Sequence, residues 1–483
     1  WVSLLCRSLR KPVMDGSSAA MKAPLIPFSG RSHGGDGGGR RKSEVLVEVK
    51  RQLRLAVPFV LSSFLQFSLT VISLMFVGHL GELPLAGASM ATSFAGVTGF
   101  SLILGFGSAM DTFCGQAFGA GRYNMLGIHM QRAMLVLTVA SVPLAFIWAY
   151  TGAILLALGQ DPDVSNEAGS YARWMIPNLF GYAFLQCLVR FLQTQSVVTP
   201  MMAGSGATAL LHVLICWVLV FKSGLGSRGA AVANCISCWI NVAILAVYVR
   251  ISPTCKKTWT GFSKEALNDV LCYVKLAVPS AVMICLEFWS FECLVLLSGL
   301  LPNPTLETSV LSVSLNSSSM IFRIALGFGN VVSTRVSNEL GAGNPRAAQL
   351  AIYVVVFLAA TVGLLVAVVT VLGRGIWGYM YSSEEEVVNY LATMIPIVAI
   401  SNFLDTIQCV FSGTIRGSGR QKIGALVNLG AYYIVGIPSA VLLAFVFHIG
   451  GQGLWMGIVC GLLVQNLLLI GITLRTDWEN EVS

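Results

Sequence analysis

The chain has 483 residues, of which only 11% are charged and 55% are hydrophobic, and it carries a formal net charge of +8. A soluble protein carries about 25% charged residues, so this chain cannot cover a water-facing surface, and its hydrophobicity excludes a disordered chain. Twelve cysteines spread over 483 residues exclude a small disulfide scaffold, which leaves a polytopic membrane protein.

The positive charge is concentrated at the start. Residues 1–54 hold eleven Lys/Arg against Asp15, Asp36, Glu44 and Glu48, or 11 − 4 = +7; the rest hold nineteen basic and eighteen acidic residues, or +1. Residues 1–53 are rich in Gly, Ser and Pro and are expected to form a disordered, basic, membrane-adjacent cytoplasmic tail. No basic face with interleaved aromatics marks a nucleic-acid surface. Trp1 is no initiator, whereas Met14 and Met21 are candidates, and Leu4-Leu5-Cys6 is too short for a signal-peptide core.

A bilayer core needs roughly 20 apolar residues per helix. Runs free of Asp, Glu, Lys and Arg cover 55–81, 83–110, 133–160, 191–221, 229–249, 347–373 and 423–474. The last is divided in two at His448-Ile449-Gly450-Gly451-Gln452-Gly453, because Gly clusters interrupt helices. Spans at about 167–190, 270–300, 309–333 and 387–413 carry isolated charges. The total is twelve helices. The runs are too long, and alternate too little, for a barrel.

Basic residues test the count, because cytoplasmic loops are enriched in Lys and Arg. With the tail inside, the inner connections 112–132, 190–198, 250–275, 334–347 and 414–422 hold most of them, including Arg190, Lys256, Arg335 and Arg416. The outer connections and their edges hold only Arg173, Lys222, Arg228 and Arg374, beside acidic Asp161, Asp163 and Glu384-Glu385-Glu386. Both termini are therefore expected in the cytoplasm.

Segment 104–121, LGFGSAMDTFCGQAFGAG, returns at 326–343 as LGFGNVVSTRVSNELGAG, an offset of 222 residues, and Pro58 and Pro279 follow nearly the same offset. The repeat predicts two parallel six-helix units, an arrangement found in transporters that alternate access. The expected organisation is a tail over 1–53, an N-lobe over 54–251, a linker over 252–269, a C-lobe over 270–475 and a cytoplasmic tail over 476–483. The Gly-Ala-Gly ends read as helix stops, and the Gly-Phe-Gly pairs as sites of close helix approach.

Charges inside spans are costly and mark function. Span seven carries Glu287 and Glu292, which five residues at about 100° each place about 140° apart, on different faces. Span ten carries Asp405. No equivalent acid lies in the middle of spans one to six, and Asp111 is near an inner helix end. Taking a carboxylate out of water disfavours its charged form. Such a group can accept a proton from an acidic side or hold a cationic substrate, but not both at once, which is a basis for antiport. Arg323 falls inside span eight, where it either pairs with one of these acids or marks a later helix start.

Phe288, Trp289, Phe291, Tyr432 and Tyr433 are aromatic candidates for a pocket wall. Gln66, Asn402 and Arg323 join Trp289, Tyr432 and Tyr433 as cavity-lining candidates. Cys235 and Cys238 form a CxxC spacing in an apolar span without a nearby His, so no metal site is expected there. No phosphate-binding loop, HExxH motif or serine-nucleophile elbow is present, so no enzyme activity and no ATP hydrolysis are expected.

The segments PFVLSSFLQFSLTVISLMFVGHLGEL (58–83), LGFGSAMDTFCGQAFGAG (104–121), LEFWSFECLVLLSGLLPNPTLETSVLS (286–312), STRVSNELGAGNPRAA (333–348) and GTIRGSGRQKIGALVN (413–428) resemble the plant branch of the MATE family, the multidrug and toxic compound extrusion transporters. The resemblance covers about residues 50–475. It implies an all-α fold of twelve transmembrane helices, in two pseudo-symmetric lobes around a V-shaped cavity. It also implies export of organic compounds in exchange for protons, without a cofactor, and with protons rather than sodium as the coupling ion. By motif position, the proton-linked acids are Glu287, Glu292 and Asp405, with Glu307 a further acidic position. Bacterial relatives place an Asp in span one, where this chain has Gln66. Arg323-Ile324-Ala325 stands where many relatives have an uncharged residue and a Pro, and Asp111 replaces the more usual Glu.

The leading expectation is a monomeric antiporter in the lipid bilayer of the vacuole or the plasma membrane, exporting organic cations, alkaloids, flavonoids or xenobiotics. An exporter of organic anions such as citrate is the alternative. A receptor or scaffold is the third reading, opposed by the duplicated unit and the mid-membrane acids.

Overall fold

The computed structural model describes residues 37–380 and 384–482. Among these the regular elements are all helical. Twelve helices are long and apolar enough to cross a membrane: α1 (Ser43–Gly78), α2 (Glu82–Gly119), α3 (Tyr123–Ala149), α4 (Pro162–Thr194), α5 (Thr199–Lys222), α6 (Ser227–Ile251), α7 (Val270–Ser298), α8 (Pro304–Gly341), α9 (Pro345–Leu372), α10 (Glu385–Gly417), α11 (Gln421–Val446) and α12 (Gly451–Arg475). Two units are distinguished: residues 1–44, described only from Gly37 onward, and Val45–Ser483, which holds the bundle. An even number of crossings brings the start of α1 and the end of α12 to one face, here called the terminal face.

The count of twelve agrees with the sequence; several helix ends do not. The expected disordered tail lies outside the described residues up to 36, but residues 43–53 are helical and belong to α1. Buried Glu48 accepts two hydrogen bonds from Arg335, at 2.9 and 3.0 Å, and Gln52 donates to the Ala351 carbonyl at 3.0 Å. These bonds to α8 and α9 order a stretch whose composition reads as a tail. Arg190, Arg335 and Arg416, expected in inner connections, lie inside α4, α8 and α10 and are buried. The charge-free run 191–221 straddles the turn between α4 and α5, where Ser196 takes a positive φ of 61°. α3 starts ten residues before the run that announced it, because Gln131 and Arg132 bond the backbone of linker residues Gly261, Ser263, Glu265 and Ala266. The C-terminal segment is docked as well: Trp478 is buried, and Arg420 donates to Thr476 at 2.5 Å and pairs with Glu481 at 3.6 Å.

The 222-residue offset locates a pseudo-twofold axis. Residues related by that offset touch each other, which two copies of a repeat can do only beside the axis. Ser333 donates to its counterpart Asp111 at 3.2 Å. A Cβ on Gly115 would collide with Ser337, its counterpart. A Cβ on Gly119 would collide with the Asn338 carbonyl, and one on Gly341 with the Gln116 carbonyl, a reciprocal pair of contacts. α2 and α8 therefore cross at their ends on the terminal face, and glycine at 119 and 341 is what lets the backbones meet. Gly105 and Gly327 serve the same end, against Ala281 and Val60. The lobes also share a device at their last helices: Gly226 and Gly450 precede α6 and α12 with φ of 57° and 71°.

Gly119→Ala is expected to destabilise the folded protein by about 1–3 kcal/mol through overpacking against fixed backbone. Gly471 in α12 faces open space, so Gly471→Ala is expected to be neutral or to stabilise by about 0.5–1 kcal/mol. Thermal unfolding of the two variants in one detergent checks the contrast.

Candidate functional site

In α10, Asp405, Gln408, Cys409 and Ser412 recur at positions i, i+3, i+4 and i+7, the spacing of one helix face. Glu287 of α7 faces that stripe. Gln408 donates one amide hydrogen to Glu287 Oε2 at 3.0 Å and another to Ser412 at 2.8 Å. Ligand atoms of Glu287, Asp405 and Cys409 all lie within 4.8 Å of one another. Glu287 is 9% exposed and Asp405 4%, and Asp405 Oδ1 has no hydrogen-bond partner. Two acidic groups thus share one dry site with spare acceptor capacity.

Neighbouring helices hold this site in place through buried amides. Ser318 of α8 donates to Asn402 at 2.5 Å, and Asn466 of α12 donates to the Leu404 carbonyl at 3.0 Å. Gln465 of α12 donates to Asn428 at 2.7 Å, and Asn428 of α11 donates to the Met283 carbonyl of α7 at 2.7 Å. Unmet polar groups in an apolar interior cost free energy, so these ties fix how α7, α10, α11 and α12 register. α11 carries a π-helical stretch over Leu429–Gly436, a departure often found at functional sites. Tyr432 sits on it, fully buried, with its hydroxyl unpartnered.

The structure separates the other sequence candidates. Glu292 is part-buried on the other side of α7, as its angular offset requires. Glu307 is at the face opposite the termini: it accepts from the Tyr390 hydroxyl at 2.8 Å and from the Gly451 amide at 3.1 Å, which makes it a cap for α12. Glu307→Ala is accordingly expected to cost about 1 kcal/mol, read as a lower melting temperature. Tyr432, expected at a cavity wall, is instead core, packed near Phe291 and Trp455 of the C-lobe. Tyr433 is part-buried with a free hydroxyl. Asn402 is a buried tie rather than a wall residue. Trp289 is half-exposed and donates to the Val97 carbonyl of α2 at 2.9 Å, bridging the lobes at mid-depth. Gln66 lies 3.4 Å from both Ser62 and Ser205. Arg323 is inside α8 and has no ion pair among the described residues; its guanidinium stacks on Phe67 of α1 at 4.8 Å.

A second cluster went unnoticed in the sequence. Asp111 is fully buried at the pseudo-twofold axis, 3.0 and 2.8 Å from Arg190 Nη1 and 3.7 Å from Arg416 Nε. Arg190 also donates to Asn330 at 3.2 Å, and Gln193 to Thr334 at 3.2 Å. Thr112 donates to the Arg416 carbonyl at 2.5 Å, and Asn338 to the Thr194 carbonyl at 2.9 Å. Together with Glu48–Arg335, these bonds seal the two lobes on the terminal side. At the axis two guanidiniums, Arg190 and Arg416, face the one Asp111 carboxylate, and Arg416 continues the α10 face that carries Asp405, Cys409 and Ser412. Another polar group missed in the sequence is His212 of the N-lobe, buried between Ser73 at 3.0 Å and Ser237 at 2.7 Å. It has no carboxylate partner among these bonds.

The MatE family pattern matches residues 58–218 and 279–442. Protein DETOXIFICATION 16 of Arabidopsis thaliana is 60% identical over 440 residues, covering 91% of this chain and 90% of that protein. DETOXIFICATION 14 of the same plant is 46% identical over 441 residues, 91% of each chain. The crystal structure of the eukaryotic MATE transporter AtDTX14 superposes with a TM-score of 0.88 at 46% identity, over 91% of this chain and 98% of that one. The Vibrio cholerae MATE transporter VcmN in its bent form shares the fold, with a TM-score of 0.77 at 18% identity, over 91% of this chain and 98% of that one.

Proposed function

Because the chain belongs to the MatE family, as a plant-type, multi-pass efflux transporter of small molecules, we propose that it exports organic cations, alkaloids, flavonoids or xenobiotics in exchange for protons by alternating access. The observation that carries this reading is the buried Glu287–Asp405 pair with an unpartnered oxygen. Two negative charges held this close and away from water repel each other strongly. One proton, or one cationic substrate, relieves the same repulsion, so the two compete for the site.

Arg416 gives that competition a mechanical consequence. With Glu287 ionised, the second guanidinium of the seal is compensated and the terminal side stays closed. Neutralising Glu287, by proton or by cation, removes the compensation and loosens the seal. An empty site holds the lobes; a loaded site frees them, which couples one proton step to one substrate step. The terminal face is the cytoplasmic face in this reading, consistent with its basic loops, and the sealed arrangement is the one open to the acidic side. The membrane is the tonoplast or the plasma membrane, and one two-lobe chain suffices as the working unit.

Arg323 favours a second reading. A guanidinium without an ion pair beside Phe67 suits an organic anion such as citrate. A transport screen in proteoliposomes with imposed pH or sodium gradients decides between them. Uptake of cationic alkaloids driven by a pH gradient, and indifferent to sodium, supports the first reading. Citrate transport that Arg323→Gln abolishes supports the second.

A further inference from the structure

We propose that Glu287, Asp405 and Cys409 also form a binding site for a thiophilic divalent cation of the d10 class, Zn2+ or Cd2+. The three residues offer one sulfur and two carboxylate oxygens, all within 4.8 Å of one another and all buried. Asp405 and Cys409 are one turn apart on α10, and Glu287 reaches them from α7, tied to α10 by the hydrogen bond it accepts from Gln408 at 3.0 Å. A tetrahedral shell with metal–oxygen bonds of about 2.0–2.2 Å and a metal–sulfur bond of about 2.3 Å needs its ligand atoms slightly closer than this, an adjustment within the reach of side-chain rotation.

A fourth ligand is available. Gln408 lies between Asp405 and Cys409 on the same face and bonds Glu287, and its Oε1 is buried without a hydrogen-bond partner. Charge is balanced too. Two carboxylates and a thiolate contribute −3, the metal +2, and Arg416, further along the same face of α10, +1. A thiolate selects Zn2+ or Cd2+ over Mg2+, Ca2+ and Na+, which prefer oxygen-only shells. Binding deprotonates the ligands, so the metal competes with protons. Its consequence is blockade: an ion held by α7 and α10 together occupies the acids and fixes their spacing.

The inference rests on ligand geometry, and its test reads metal binding alone, so its failure leaves the antiport reading untouched. The full chain in lipid nanodiscs is titrated with Cd2+ while the ultraviolet thiolate-to-cadmium charge-transfer band and proton release are followed. One saturable site that releases protons is expected. Cys409→Ser is expected to lose the band and to weaken binding by about tenfold or more, with Glu287→Gln and Asp405→Asn weakening it by a similar factor. The Cys235→Ser/Cys238→Ser double variant is expected to keep both. A band that survives Cys409→Ser, wild-type binding in the two acid variants, or displacement by excess Mg2+ overturns the proposal. X-ray absorption on the Zn2+-loaded wild type needs no variant to fold: a shell of one sulfur and two or three oxygens supports the site, and an all-sulfur or sulfur-free shell refutes it.

Discussion

Glu287→Gln is expected to abolish the part of the exchange in proteoliposomes that a pH gradient drives, while the protein still folds. The amide keeps the size of the side chain and can still bond Gln408, which has both a donor and an acceptor. It cannot gain or lose a proton. It also removes the charge that compensates Arg416, so the seal is expected to open more readily and the variant to carry substrate downhill without proton movement. Asp405→Asn is expected to act in the same direction. Glu292, on another face of α7, is the internal comparison: Glu292→Gln is expected to retain gradient-driven exchange. Undiminished exchange in Glu287→Gln would remove the acid pair from the mechanism.

Asp111→Ala is expected to have the largest effect on stability, about 3–5 kcal/mol, because it leaves the buried Arg190 guanidinium without its ion pair. Arg190 loses its close ion pair, and Arg416 Nε, already without a hydrogen bond, loses its nearest carboxylate. Asp111→Ala/Arg190→Met is expected to recover part of the loss, since removing both members of a buried pair costs less than removing one. Thermal unfolding in detergent measures both. A single variant that melts like the wild type would contradict the charge accounting at the axis. The same substitution weakens the seal, so a cysteine placed beside Asp111 at the interface of the lobes is expected to become more reactive to a water-soluble thiol reagent.

The helix count was legible because a bilayer imposes one length on every span and basic residues mark one side of them. The repeat was legible because LGFG and GAG return at a fixed offset. Helix ends were harder, since a charge reads as an exit from the membrane. Arg190, Arg335 and Arg416 defeat that rule because each has a buried acidic partner distant in sequence, such as Asp111 at a separation of 79 residues and Glu48 at 287. No local pattern announces such a pair. The three mid-span acids were visible one by one; that Glu287 meets Asp405 and Glu292 does not depends on which face of α7 is turned toward α10. Gln408 and Cys409 carry a weak signal that could have been read: they share a helix face with Asp405. Arg323 stood out as a charge inside a span, but nothing announced its partner, which is the face of Phe67 and not an acid.

In the proposed mechanism the C-lobe acids exchange a proton for a substrate cation. Proteoliposomes loaded with a pH-sensitive dye and given a transported cationic substrate outside, with no pH gradient imposed, test that exchange. Substrate entry is predicted to drive protons out, raising the internal pH in the wild type and leaving it flat in Glu287→Gln. Substrate entry without any change of internal pH in the wild type, or the same change in the variant, would contradict the account.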